Sequence, residues 1–133
     1  MMFAQQLPLL ATAVALFVYV STVVACGQAR SRHGIKAPAI TGHPDFERAL
    51  RIQQNTVEQL VLFLPSLFLY SHTVSPLWGG VLGLVWSAGR VLYALGYRSD
   101  PGKRGPGFML SGVATLFLLL GGTVGLIWSM LGG

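Results

Sequence analysis

The chain has 133 residues, of which 53% are hydrophobic and only 10% charged. Its mean hydropathy of +0.62 lies above that of soluble domains, so the length and composition predict one membrane-embedded domain. A single cysteine, Cys26, excludes an internal disulfide and any multi-thiolate metal site. The net charge of +5 does not indicate nucleic acid. The cations sit in two short connections and the adjoining helix ends, not on a soluble basic face.

The first predicted span runs from Leu7 to Gln28 and carries no charge, enough to cross a hydrocarbon core of ~30 Å at ~1.5 Å per residue. No Lys or Arg precedes it, whereas a signal peptide has a positive leading region. It is therefore read as an uncleaved span. Residues 30–45 form a basic connection in which Gly34, Pro38, Gly42 and Pro44 preclude a continuous helix. Asp45 is the expected N-cap of the second helix, which is predicted over about 46–71 with a kink at Pro65.

Ser75-Pro76 marks a tight turn, and the third span covers about 77–97. Gly79, Gly83 and Ser87, small residues four apart, allow close helix approach. A second basic connection, Arg98 to Gly107, precedes the fourth span, about 108–131. Gly102, Gly105 and Gly107 are expected to turn its backbone sharply. Gly121 and Gly125, also four apart, read as ordinary packing.

All nine Lys and Arg lie within 30–51 or 90–104, and all four acidic residues lie near them. In a four-span chain both regions fall on one side, which the positive-inside tendency makes cytoplasmic. The polar residues of the second helix are not scattered. At ~100° per residue, Arg48, Arg51, Asn55 and Glu58 share an arc of roughly 80°, while Gln53 points elsewhere. On the third helix, Arg90, Tyr93 and Tyr97 share an arc of roughly 60°. Buried polar groups at this depth require a partner, ligand or water. Glu58 pairing with Arg51 or Arg90 would supply one; a guest with carboxylates and an ammonium, such as glutathione, would supply another.

Glu47-Arg48-x-x-Arg51-x-Gln53-x-Asn55-x-x-Glu58, Gly89-Arg90-x-x-Tyr93-x-x-Gly96-Tyr97, and Arg104 with Pro106-Gly107-Phe108 resemble the MAPEG superfamily. Its members are the membrane-associated proteins in eicosanoid and glutathione metabolism, and the motifs are most similar in the microsomal glutathione transferases and leukotriene-C synthase. The resemblance covers nearly the whole chain. It implies an all-α integral membrane protein, residues 1–133 forming a single four-transmembrane-helix bundle that assembles as a homotrimer.

Glutathione, as co-substrate, would be held by Arg51, Asn55, Glu58, Tyr93 and Tyr97 of one subunit and by Arg30 and Gln53 of its neighbour. Arg104 matches the arginine that stabilises the thiolate. The implied function is a membrane-bound glutathione S-transferase, extending to glutathione peroxidase activity, acting on lipophilic electrophiles or lipid hydroperoxides without a metal. The expected location is a bacterial inner membrane with the site on the cytoplasmic side. Two departures bear on substrate. Gln59 stands where leukotriene-C synthase has tyrosine, and Gly105 replaces the serine that follows the arginine in prostaglandin-E synthases. A non-catalytic lipid binder of the same fold, or a small proton-coupled exporter using Glu58, are the alternatives; a one-sided polar cluster disfavours the exporter, whose site would lie near mid-membrane.

Overall fold

The computed structural model describes residues 2–133 as an all-α membrane fold. Its helices are α1 (Met2–His33), α2 (Pro44–Thr73), α3 (Pro76–Ser99) and α4 (Gly105–Met130), with one 3₁₀ turn, Pro101–Lys103, between the last two. α1, α3 and the stretch Pro101–Met130 are long and apolar enough to cross a membrane. α2 combines a polar first half with an apolar second half.

Helix ends follow local chemistry. α1 continues five residues beyond the apolar run, its last turn carrying Arg30, Arg32 and His33, cations that oppose the negative end of the helix dipole. It stops at Gly34, whose φ of 65° suits a residue without Cβ. The N-cap of α2 is His43, not Asp45: the His43 Nδ1 accepts from the Asp45 N–H at 3.1 Å. Pro44 fills the first helical position, where its missing donor costs nothing. Glu47 accepts from the Gly42 N–H at 3.1 Å, so backbone donors on both sides of the cap are satisfied, one by Glu47 and one by His43. α2 stays helical through Pro65. Ser75 caps α3 by accepting from the Trp78 N–H at 3.2 Å.

α2 and α3 form the short diagonal of the bundle. Each touches both α1 and α4, which occupy opposite corners. Between α2 and α3, the Phe63 and Trp86 rings stack at 4.2 Å, nearly parallel. Ala11 and Ala15 from α1 and Leu118 from α4 close the core around them. Small residues set the spacing. A Cβ on Gly83 would lie 2.7 Å from that of Ala11 on α1. Cβ atoms on Gly121 and Gly125 would come within 2.9 Å of Tyr70 and 2.8 Å of Val74. That pair therefore serves the α4–α2 contact inside the chain.

The α3–α4 elbow is the tightest crossing. A Cβ on Gly89 would meet the Ser111 nitrogen at 2.8 Å, and one on Gly107 would collide with the backbone of Tyr93. The connection is not built on left-handed glycines, since Gly102, Gly105 and Gly107 all lack a positive φ. Asp100 instead caps the 3₁₀ turn, its Oδ1 accepting from the Gly102 N–H at 3.0 Å. Gly96 lets the Lys103 carbonyl lie directly against α3. This elbow carries the candidate site.

Candidate functional site

At the basic end, Arg51 and Asn55 from α2, Tyr93 and Tyr97 from α3, Arg104 from the connection and Phe108 from α4 line a mostly polar cavity of about 240 Å³. Tyr93 and Tyr97 meet at 5.6 Å between centroids, in a tilted arrangement. The Arg104 guanidinium lies 5.6 Å from the Tyr97 ring centre and donates to the Pro101 carbonyl at 2.7 Å. The turn thus anchors Arg104 over the cavity mouth while leaving the side chain largely exposed.

The other sequence-derived candidates lie apart from the lining. Glu58 is one turn beyond Asn55 and pairs with Arg51 at 3.5 Å, both side chains about half exposed. Half-buried Gln53 lies off the cavity-lining set. Arg30, at the end of α1, donates to the Ala39 carbonyl at 2.8 Å and covers the Phe46 ring at 4.6 Å. Within one chain it fastens the first connection.

Arg90 lies behind the lining and touches two of its residues, Asn55 and Tyr93. It is 1% exposed and forms no ion pair among the described residues. Its Nη2 donates to Asn55 Oδ1 at 2.7 Å and to Thr56 Oγ1 at 3.1 Å, and Nη1 reaches Ser111 Oγ at 3.5 Å. The guanidinium also lies over the Tyr93 ring at 4.0 Å, a favourable cation–π arrangement. Of the two pairings open to Glu58, the structure shows the one with Arg51, whereas Arg90 takes neutral groups. Thr56 and Ser111 were not singled out from sequence. The available signals were a hydroxyl beside Asn55 and another one helical turn after Gly107. Phe108 stood in a recognised motif without a role; here its ring flanks Tyr93 at 6.3 Å.

His33, His43 and Asp45 bring potential metal-ligand atoms within 4.8 Å of one another. The imidazoles stack at 3.6 Å, only 13° from parallel, so their in-plane lone pairs do not converge on one point. His43 Nδ1 is also engaged as the α2 cap. The trio fastens α1 to the start of α2 and does not form a metal centre in this arrangement.

Residues 8–124 match the profile of the MAPEG family. The chain belongs to that family. Among MAPEG proteins and their relatives, an uncharacterised Synechocystis protein is 42% identical over 123 residues, covering 92% of this chain and 90% of that one. Human microsomal glutathione S-transferase 2 is 42% identical over 96 residues, 71% of this chain and 65% of the human protein. Leukotriene C4 synthase from Cavia porcellus is 34% identical over 103 residues, 75% and 67% of the two chains. MAPEG membership accords with the apolar helices and makes this an integral membrane protein.

Proposed function

We propose that this chain is a membrane-bound glutathione S-transferase whose active site is built on the Arg51–Asn55–Tyr93–Tyr97–Arg104 cavity. The observation that carries the reading is the convergence of these five side chains, from three separate segments, on one polar recess. Family membership and relatives named for glutathione transfer and leukotriene C4 synthesis support it. Larger cavities exist, including one of about 420 Å³ near Pro8 and His72 and an apolar one of about 500 Å³ near Phe117, but neither gathers cationic side chains.

The residues present fit glutathione. Arg51 offers a planar fork to a carboxylate, and Glu58 can accept from the α-ammonium. Asn55 is already bound through its oxygen to Arg90, which leaves its amide N–H groups free to donate. Behind them, Arg90 adds an uncompensated positive charge in a low-dielectric setting, which favours an anionic guest. Bound glutathione supplies the thiol. Arg104, above Tyr97, stabilises that thiol as thiolate by placing a cation nearby. A thiol titrates near ~8.5 unassisted, and the thiolate is the nucleophile. The thiol proton leaves to solvent, sulfur forms a bond to the electrophilic carbon, and the displaced group departs. With a lipid hydroperoxide, the same thiolate attacks the terminal peroxide oxygen, the O–O bond breaks and the lipid alkoxide takes a proton to leave as the alcohol. The thiol of a second glutathione then displaces water from the glutathione sulfenic acid to give the disulfide.

A recess of about 240 Å³ falls below the ~300–1,000 Å³ usual for small-molecule sites. The polar side chains Arg51 and Glu58 also stand uncovered on α2, an arrangement costly at membrane depth. Both features are relieved if a neighbouring copy completes the site, with Arg30 and Gln53 as its contribution, in a homotrimer. The basic end would face the cytoplasm.

The test is glutathione titration of purified protein by calorimetry, alongside turnover of a lipophilic electrophile. Saturable binding that Arg51→Ala weakens at least tenfold is expected, together with conjugate formation. Binding without turnover would indicate the non-catalytic lipid-binding alternative, and no binding at millimolar glutathione would remove the assignment.

A further inference from the structure

A second recess lies at the basic end, between α1, α2 and α3, and none of the residues of the glutathione site line it. It measures about 360 Å³, and its polar lining comes from Gln28, Arg32, Asp45 and Arg98. Through Ala25, Gln28 and Arg98 it is continuous with a groove of about 440 Å³ between α1 and α3, walled by Val18, Val91, Ala94 and Leu95. One end of this channel presents two guanidiniums and a carboxylate; the rest is largely apolar and opens along the helices. Arg98 is held in place from its backbone, whose carbonyl accepts from Arg48 at 3.4 Å, so its guanidinium stays available. α3 has 24 residues, ~36 Å at 1.5 Å per residue, slightly longer than the ~30 Å hydrocarbon core. Arg98, in its last turn, therefore sits at headgroup level, with the apolar groove beginning just below.

We propose that this channel is a binding site for an aminophospholipid of the phosphatidylethanolamine type. Arg32 and Arg98 hold the phosphodiester, Asp45 accepts from the primary ammonium, and an acyl chain fills the α1–α3 groove. Each part of the lining has a matching part in the ligand. Arginine pairs suit phosphate oxygens. A carboxylate can accept hydrogen bonds from ethanolamine's ammonium but not from choline's quaternary nitrogen. A water-soluble phosphate compound would leave the apolar groove unused. A helix of a second copy would leave two guanidiniums facing apolar side chains. Arg32 and Arg98 are exposed, so their replacement should leave the fold intact.

The experiment is native mass spectrometry of the detergent-purified protein after mixing with phosphatidylethanolamine, phosphatidylglycerol or phosphatidylcholine. Circular dichroism checks the helix content of each variant. One phosphatidylethanolamine per chain should be retained, at least tenfold more than phosphatidylcholine. The Arg32→Ala/Arg98→Ala double variant should lose that retention tenfold or more. Ala94→Trp, which fills the groove, should lose it with the arginines intact. Soluble glycerophosphoethanolamine should not compete. Equal retention by the double variant, or equal retention of phosphatidylcholine, would overturn the proposal. So would stronger retention of phosphatidylglycerol, or effective competition by the soluble headgroup. Disulfide cross-linking of two copies through Val91→Cys, in a Cys26→Ala background and without retained lipid, would assign the groove to a subunit contact instead.

Discussion

Arg90 and Glu58 show how differently two charges on neighbouring polar stripes can be used. Arg90 is buried to 1% exposure among neutral oxygens and an aromatic face. Each hydrogen bond to its charged group contributes on the order of 1.5–3 kcal/mol. Removing Asn55's oxygen leaves that charge short of partners. Asn55→Leu is therefore expected to lower the thermal stability of the ligand-free protein by roughly 1–3 kcal/mol, measured by unfolding in detergent. Glu58 is the opposite case. Its pair with Arg51 is long and half-exposed, a class contributing about 0–1 kcal/mol. Glu58→Gln should leave ligand-free stability almost unchanged while weakening glutathione binding roughly ten- to hundredfold, the equivalent of one charge-assisted hydrogen bond. Lost stability with unchanged affinity would make Glu58 a packing partner only.

At the scale of elements, the site depends on the α3–α4 elbow more than on any loop. Gly107 lies against the Tyr93 backbone and Gly89 against Ser111, so the helices that carry Arg90, Tyr93 and Phe108 are in near backbone contact. Gly107→Ala should force them apart, destabilise the protein by about 1–3 kcal/mol and reduce glutathione affinity together with stability. Unaltered melting and binding would show that the elbow tolerates a wider spacing. Four helices were legible from hydropathy and from proline and glycine positions, because apolar runs, breakers and charges act locally. The Arg51/Asn55 and Tyr93/Tyr97 stripes were legible from helical periodicity, and they do meet at one cavity. The partner of Arg90 was not, because periodicity gives a residue's direction and not the facing side chain 35 positions away. Glycine chemistry misled for a similar reason. Gly102, Gly105 and Gly107 suggested a sharply turning loop, whereas the requirement at Gly107 is interhelical distance and at Gly102 an Asp100 cap. His43 likewise takes the capping place expected of Asp45, because its imidazole nitrogen accepts Asp45's own N–H and the helix starts at Pro44.

At the scale of the whole molecule, charge divides the bundle into a basic end that carries the recess and an opposite end that has Gln5, Gln6, Ser71, His72 and Thr73 but no Lys, Arg, Asp or Glu. If all four helices cross, cysteines engineered at Ser75 and Ser99 in a Cys26→Ala background should react with impermeant reagents from opposite sides of sealed vesicles. Labelling of both from one side would contradict that topology. The same polarity places Arg104 where the chemistry is proposed, held by the Pro101 carbonyl above Tyr97. Because Arg51, Asn55 and Glu58 would still grip the tripeptide, Arg104→Ala should change glutathione affinity only a few-fold. Its effect should fall on the thiol. A nearby cation lowers a thiol pKa, so its removal raises it: turnover should drop at neutral pH and recover in part at alkaline pH, and Arg104→Lys should restore some activity. The most direct measurement is an ultraviolet pH titration of protein-bound glutathione, reading the thiolate band in the native protein and in Arg104→Ala. The account predicts a bound thiol pKa below the ordinary ~8.5 in the native protein and a clear rise in the variant; superimposable titration curves for the two proteins would contradict it.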